Sequence, residues 1–202
     1  MMAARTKLNV QNFPRPPLLQ QIPRHVVIKW GDQTLADTRS SYWVLETTHP
    51  PSTSPGSRLL AAVTVGQRVP FSKTDSQSLT TYQHPTYIAY YLPRDAISDS
   101  FKLVRSPPDK ASLCEWKGRA TYWDVVNTST GETVRNKVWS YEAPTLAFAA
   151  IKGYLSFYAN GVPWTCFVDD EKVTPQEGDY YGGWVTSEIE GPMKGGPGTW
   201  GW

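Results

Sequence analysis

The chain has 202 residues, of which 40% are hydrophobic and 19% charged, and this composition predicts one soluble domain with a core of its own. Its net charge of +2 predicts no nucleic-acid partner and no membrane partner, and no apolar run reaches the length of about 18 residues that a transmembrane helix needs. Its two cysteines cannot complete a structural zinc site, so we expect free thiols, no cofactor, and a cytoplasmic location with a nuclear one left open.

The first part of the chain predicts an extended arm followed by three strands. Residues 1–24 are rich in proline, which disfavours a helix and favours an extended arm. Residues 25–30 are β-branched and apolar, a Gly-Asp turn follows, and residues 34–37 are predicted to return as the hairpin partner. Residues 41–46 form the next predicted strand.

Residues 51–85 differ from their surroundings because they are rich in Ser, Thr and Pro around one short apolar piece. A structureless loop of this length is uncommon inside a compact domain. The stretch follows His49-Pro50 and ends at His84-Pro85, so its deletion would leave one His-Pro motif between the flanking predicted strands. We interpret it as an insertion, and two explanations stay open: a lineage-specific loop, or an error in gene prediction such as a translated intron.

The middle of the chain predicts further strands. Residues 87–92 and 101–104 have strand character, and residues 115–126 alternate as a longer strand whose antiparallel return is residues 132–141. One face of the longer strand is predicted to carry Trp116, Tyr122 and Asp124, and the other Lys117, Arg119, Thr121 and Trp123.

The last third predicts a short helix, a hairpin and a tail. Residues 144–152 favour one short helix that ends at Gly153. Residues 154–158 and 164–168 are predicted to pair as a hairpin across Asn160-Gly161. Residues 177–202 are rich in Gly and Trp, and we expect this tail to pack on the domain, the alternative being a flexible, adhesive tail.

Two candidate groups lie together in the middle of the chain. Cys114 is a candidate nucleophile because a nearby Lys117 favours a thiolate, although a continuous strand would point the two residues to opposite faces. The alternative is a buried cysteine at the start of a strand. Lys117 before Gly118 suggests a cation held where a backbone approaches closely, which suits a carboxylate or phosphate ligand. The alternative is a bulge glycine beside a lysine that reaches to solvent.

Other candidates are scattered along the sequence. Glu46 with His49 or His84 offers a base and an orienting carboxylate, although His-Pro is also a common start to a loop. The acidic run at residues 169–171 either binds a cation or forms a solvated turn, and we predict no metal site. The aromatic residues either form core or line a pocket; those that we predict to bind a ligand together with Lys117 are Tyr122, Trp139, Tyr141 and Tyr158.

Several motifs together resemble a known family. The motif Cys114-x-x-Lys117-Gly118-x-Ala120-x-Tyr122-Trp123 is followed by Trp139-Ser140-Tyr141-x-x-Pro144 and by Ile151-x-Gly153-Tyr154-x-x-Phe157-Tyr158. With the Leu-Glu-Thr and His-Pro-Thr-Tyr segments before them, these motifs are similar to the family catalogued as domain of unknown function 427, over roughly residues 25–170 apart from the insertion. The last twelve residues are similar to those of fungal members.

The resemblance implies a mostly β fold with a curved antiparallel sheet, for which a tent-like form is one option, and it implies no mechanism. Some members carry a nucleotidyltransferase-type label, but this sequence has no Gly-Ser pair followed by the paired carboxylates with which metal-dependent nucleotidyl transfer holds its cations. One departure concerns the His-Pro motif, of which the family usually has one. This sequence has two, at His49 and His84, and either could correspond to it.

We therefore expect a single mostly β domain over residues 25–176 with one short helix, preceded by the arm and followed by the tail. The leading functional hypothesis is a domain that binds a small molecule, with an anionic one as an option, in an aromatic-lined pocket. The second is an enzyme that uses Lys117 with His49 or His84 and Glu46. The third is a protein-interaction module that uses the Trp-rich tail. The ligand, the oligomeric state and the question of catalysis stay open.

Overall fold

Strands dominate the fold, as predicted, and three antiparallel sheets form most of it. The computed structural model of the chain describes residues 5–46, 87–108 and 111–195. The predicted insertion at residues 51–85, His49 and His84 lie outside these ranges. Within the described residues no helix is long and apolar enough to span a membrane.

The first sheet has the strand order β2-β5-β6. Its strands are β2 at Leu18–Ile22, β5 at Ser41–Glu46 and β6 at Tyr87–Tyr91. Strand β2 lies in the region predicted as an extended arm. The backbone is extended there, but it pairs with β5, so strand pairing begins before the predicted first strand at residue 25. The prolines that argued for an arm lie on either side of β2, where they exclude a helix but leave the strand's own N–H groups free to pair.

The second sheet has the strand order β13-β12-β3-β4. Its strands are β3 at Val26–Trp30, β4 at Gln33–Thr38, β12 at Trp164–Val168 and β13 at Glu171–Lys172. The predicted β3–β4 hairpin is confirmed. Asp169 and Asp170 join β12 to β13 with φ angles of 48° and 66°, which is the left-handed conformation that a two-residue hairpin turn requires.

The third sheet has the order β11-β10-β9-β7, and β8 also pairs with β9. Its strands are β7 at Phe101–Arg105, β8 at Ser112–Cys114, β9 at Gly118–Asn127, β10 at Thr133–Tyr141 and β11 at Leu155–Phe157. The predicted return of residues 132–141 against β9 is confirmed. The predicted strand at residues 115–126 begins only at Gly118, because residues 115–117 form the turn of a β8–β9 hairpin.

Residues 154–158 and 164–168 do not pair with each other, so the predicted hairpin is wrong. Strand β11 pairs with β10 and strand β12 pairs with β3, so the intervening loop carries the chain from one sheet to another. Both strands contribute apolar residues to the same buried core. Two segments of high strand propensity on either side of an Asn-Gly pair therefore predict two strands. Which strand each of them pairs with depends on long-range packing.

Short elements complete the fold. Two small pairs are β1 at Leu8–Asn9 with β16 at Ile189–Glu190, and β14 at Thr174–Pro175 with β15 at Trp184–Val185. The short helices are 3-10 helices at Val10–Asn12, Arg94–Ala96, Leu146–Ile151 and Glu177–Gly182. The third of these occupies the place of the predicted short helix.

The described part of the tail packs on the domain through Trp184. This side chain is 1% exposed, stacks on Tyr90 with ring centroids 5.2 Å apart, and donates its indole N–H to the Phe157 carbonyl at 2.7 Å. An indole gains most when both its ring and its N–H are satisfied, which explains why this tryptophan anchors the tail. Trp200 and Trp202 lie outside the described residues.

Buried side chains form two groups, a large core and a smaller one that we call the aromatic cluster. The predicted alternation holds within β9, because Tyr122 packs against the aromatic cluster and Trp123 against the large core. The placement of Lys117 on the Trp123 face is wrong, because Lys117 lies in the turn before β9 and contacts Phe148 of the aromatic cluster. The buried members of the aromatic cluster are Val44, Ala89, Tyr91, Ala120, Trp139, Tyr141, Phe148 and Ile151. Its partly buried members are Leu19, Tyr42, Cys114, Trp116, Tyr122, Tyr154 and Tyr158.

Candidate functional site

A fully buried lysine stands in the aromatic cluster. Lys117 is 0% exposed, and its Nζ donates to Glu46 Oε2 at 3.3 Å. Glu46 is itself only 3% exposed, so both charges are removed from water. The Nζ also lies 5.6 Å from the centre of the Phe148 ring, which is within the range of a cation–π contact. The predicted alternative of a lysine that reaches to solvent is therefore wrong.

The hairpin turn between β8 and β9 determines where Lys117 points. Cys114 pairs with Gly118 across the turn, and Gly118 has a φ of +94°, a conformation that only glycine adopts easily. The Thr145 N–H donates to the Lys117 carbonyl at 3.3 Å, which fixes the turn against the start of the 3-10 helix at Leu146–Ile151. The turn is the bend that a Cys114–Lys117 pairing requires, and it brings the thiol close enough to influence the ammonium.

Glu46 reaches the cluster from the end of β5. Its backbone pairs with Tyr87 at the start of β6, so the described chain leaves this sheet and returns to it beside the buried ion pair. Of the predicted acid–base candidates, the structure thus brings Glu46 to Lys117. His49 and His84 lie outside the described residues, and their part of that prediction stays a prediction.

Two phenol groups surround the ion pair. Burial raises the pKa of Tyr91 to about 12, although Lys117 opposes this shift, so the hydroxyl is neutral at physiological pH. Burial also raises the pKa of Tyr141, and the neighbouring Tyr91 and Cys114 raise it further. The rings of Tyr91 and Tyr141 are 6.3 Å apart, so the two hydroxyls belong to one environment.

Two buried polar groups in this environment lack hydrogen-bond partners among the described residues: the Tyr91 hydroxyl and the Trp116 indole N–H. The Trp139 indole lies edge-on to the Tyr91 ring, near enough to affect its pKa, but it does not reach hydrogen-bond geometry with the hydroxyl. A buried polar group without a partner costs free energy of about 1–3 kcal/mol. Native proteins tolerate few such groups, and a bound molecule or a water is a common reason for one.

Lys117 stays protonated at neutral pH. Burial lowers the pKa of Lys117, but Tyr91, Glu46 and Cys114 raise it, and the net shift is upward. A buried ion pair contributes little net stability, because desolvation of the two charges cancels most of their attraction. The pair is therefore better explained by a role in recognition or in specifying one packing than by stability alone.

The aromatic residues predicted to bind a ligand all lie in this cluster. Trp139 and Tyr158 have ring centroids 5.0 Å apart, and Tyr122 and Tyr141 pack in the same group. Trp116, Tyr122 and Tyr158 are only partly buried, so the cluster reaches the surface there. Sequence reasoning missed Tyr91 and Phe148 as neighbours of Lys117. The available signal was the pair Tyr90-Tyr91, in which a strand must bury one tyrosine on each face.

An open cleft of about 170 Å³ lies beside strand β9 and shares Ala120 and Tyr122 with the aromatic cluster. Its polar lining comes from Arg105, Ser106, Arg119, Thr121, Tyr122 and Glu142, and Lys117 is not part of it. Among the described residues no group of three His, Cys, Asp or Glu side chains could hold a metal ion. The acidic turn at Asp169 is held by arginines instead, at 3.2 Å from Arg24 and 3.5 Å from Arg5.

Comparison with known proteins gives one result on the family. A family model described as a domain of unknown function (DUF427) matches residues 18–53 and 57–173, which is most of the chain. The matched residues include strand β2, the buried Lys117–Glu46 pair and the whole aromatic cluster. No individually curated protein matches the sequence.

Proposed function

Because the chain belongs to the DUF427 family, whose description assigns no reaction, we propose from the geometry alone that the domain binds a small molecule at the aromatic cluster. Lys117 and the hydroxyl of Tyr91 would contact its polar part, and Tyr122, Trp139, Tyr141 and Tyr158 its apolar part. A cytoplasmic or nuclear location and a fungal origin stay predictions that accompany this proposal.

One observation carries the proposal: the aromatic cluster that contacts the buried ammonium of Lys117 also holds two buried donors that lack partners in the described part of the chain. These are the Tyr91 hydroxyl and the Trp116 indole N–H. Aromatic walls with a few convergent polar groups are typical of small-molecule sites. The partly buried rings of Trp116 and Tyr122 offer a route from the surface to these groups.

The two buried donors without described partners indicate the class of ligand. The Trp116 indole N–H can only donate and the Tyr91 hydroxyl can donate, whereas the Glu46 carboxylate already accepts from Lys117. A ligand that satisfies them must bring acceptor oxygens. We therefore favour a small carboxylate, phosphate or carbonyl compound with an apolar or planar part for the rings.

The charge state of Lys117 favours binding over covalent catalysis. A lysine nucleophile needs a lowered pKa, whereas the pKa of Lys117 is raised and the amine stays protonated at neutral pH. The enzyme that combines Lys117 with Glu46 and a histidine therefore remains a second candidate without a specific observation in its favour. The burial of Trp184 weighs against the third candidate, because this tail tryptophan is not available to a partner.

The test is mass spectrometry of small molecules that co-purify with the protein. Lys117→Met alone would leave Glu46 buried without its partner, at a cost of about 3–5 kcal/mol, so the informative variant is Lys117→Met/Glu46→Leu. Lys102→Met, at an exposed position in β7, is the matched control for loss of a lysine. We expect a compound that stays with the wild type and the control and is absent from the double variant.

A thermal-shift screen with carboxylates and phosphates covers ligands that dissociate during purification, since a ligand raises the melting temperature of the state that binds it. The proposal is wrong if every co-purifying compound is retained equally by all three proteins. It is also wrong if nothing co-purifies and no compound stabilises the wild type more than the double variant.

A further inference from the structure

The open cleft beside β9 arises because one edge of β9 pairs first with β8 and then with β7. Strand β8 pairs with β9 up to Ala120, and strand β7 pairs with it from Trp123 onwards. The chain between β7 and β8 has to cross the intervening positions, and it does so with the Ser106 N–H donating to the Tyr122 carbonyl at 3.0 Å. The gap that results is the cleft of about 170 Å³.

Glu142 lines this cleft, and its carboxylate is ionised and held in one orientation. Its Oε1 accepts from Arg94 at 2.7 Å and from the Ser140 hydroxyl at 2.6 Å. Burial raises the pKa of this carboxyl, but Ser140, Arg94 and Arg105 lower it, and the net shift is downward. Arg94 is held in turn by the Trp123 ring, which it covers at 4.3 Å. Glu142 therefore presents a fixed acceptor whose charge Arg94 already balances.

Arg105 and Arg119 bring excess positive charge to the same cleft. Arg105 is the last residue of β7, and Arg119 is the second residue of β9. In the described part of the chain neither guanidinium lies within 4.0 Å of a carboxylate, whereas Arg94 does. Two guanidinium groups from different strands can hold the oxygens of one carboxylate or phosphate with paired hydrogen bonds.

We propose that this cleft binds a small hydroxylated anion. Its phosphate or carboxylate group would lie between Arg105 and Arg119, and a hydroxyl would donate to Glu142. The volume favours a compact molecule, because pockets for drug-sized ligands measure about 300–1,000 Å³. The cleft shares Ala120 and Tyr122 with the aromatic cluster but does not include Lys117, and its existence does not depend on the function proposed for that cluster.

The experiment is a calorimetric titration of the full chain with ribose 5-phosphate, gluconate and uncharged ribose. The first two probes distinguish a phosphate from a carboxylate, and ribose measures what the hydroxyl groups contribute alone. We expect one of the two anions to bind at least about tenfold more tightly than ribose. Arg105→Gln and Arg119→Gln should each weaken that binding by about tenfold.

Matched variants identify the site. Arg39→Gln removes the same charge from an exposed position in the turn between β4 and β5, and it should leave binding unchanged. Glu142→Gln should weaken the hydroxylated anion but not inorganic phosphate. Lys117→Met/Glu46→Leu should retain binding, which separates this result from the fate of the aromatic cluster.

The inference is overturned if neither anion binds more tightly than ribose. It is also overturned if Arg39→Gln weakens binding as much as Arg119→Gln does, because the effect would then be one of net charge.

Discussion

The guanidinium of Arg24 lies 2.5 Å from the carboxylate of Glu188 and joins the region before β3 to the C-terminal tail across a separation of 164 residues. Glu188 is only 2% exposed and also accepts from the Thr186 hydroxyl. Arg24 additionally contacts Asp169 in the β12–β13 turn and covers the Trp43 ring. The two ends of the chain and one hairpin turn therefore share a single partly buried charge network.

We predict that Arg24→Met lowers the free energy of unfolding by about 2–3 kcal/mol, because it leaves a buried carboxylate without its main partner. Methionine retains apolar contact with Trp43, so the loss reports on the charge. Urea unfolding measures it. Arg24→Met/Glu188→Met should recover at least half of the loss, and the exposed Arg39→Met should show none; a single variant as stable as the wild type would contradict the network.

We predict that stability falls as the pH rises from about 10 to about 12. Unfolding returns Tyr91 from a pKa of about 12 to an ordinary value of about 10, so in this interval the unfolded state loses a proton that the folded state keeps. The loss is absent below about pH 10 and amounts to about 2–3 kcal/mol once the pH exceeds about 12. The raised pKa of Lys117 acts in the same direction.

Urea unfolding at several alkaline pH values tests this expectation on the wild type and on Tyr91→Phe. The variant should show a shallower loss, although the raised pKa of Tyr141 keeps part of the slope in place. At neutral pH Tyr91→Phe should be no less stable than the wild type, because the hydroxyl lacks a described partner. Identical pH dependence in both proteins would contradict the assigned burial of this hydroxyl.

We predict that Gly118→Ala destabilises the protein by about 2 kcal/mol, because alanine at a φ of +94° is strained. The contact of a new methyl group adds little, since the nearest atom, the Ala143 carbonyl oxygen, would be 3.4 Å away. Gly131→Ala is the matched control, because its φ of +75° is closer to the left-handed minimum and no atom lies within 4 Å. It should cost about 1 kcal/mol. Equal losses would show that the turn before Gly118 is not held as described.

Local patterns predicted much of the fold. The alternation along β9, the β3–β4 hairpin and the β9–β10 hairpin follow from β-branched and aromatic residues between turn residues, and all three are present. Two predictions about strand pairing failed. The prolines on either side of β2 suggested an arm and not a strand paired with β5. Strand β12 pairs with β3 rather than with the nearby β11, because the choice of a partner strand depends on apolar faces that are distant in sequence.

The candidate site was predictable in composition but not in arrangement. The Lys117-Gly118 motif and the aromatic residues around it indicated a polar group among aromatic side chains. The partner Glu46 was named, but as one half of an acid–base pair and not as the counter-ion of Lys117. Tyr91 and Phe148 were missed, because their proximity depends on how β6 and the 3-10 helix at Leu146–Ile151 pack against the turn before β9.

The sequence by itself determined the strand-rich class, the family and the segment that matters most, because these depend on residue types at short spacing. Only the tertiary structure decided that Lys117 is buried and not exposed, since a three-residue turn redirects its side chain and Glu46 approaches from 71 residues away. Short-range patterns encode which face of a strand is apolar. Which charged group meets which partner depends on the contacts that close loops of many residues, and those contacts exist only in the folded chain.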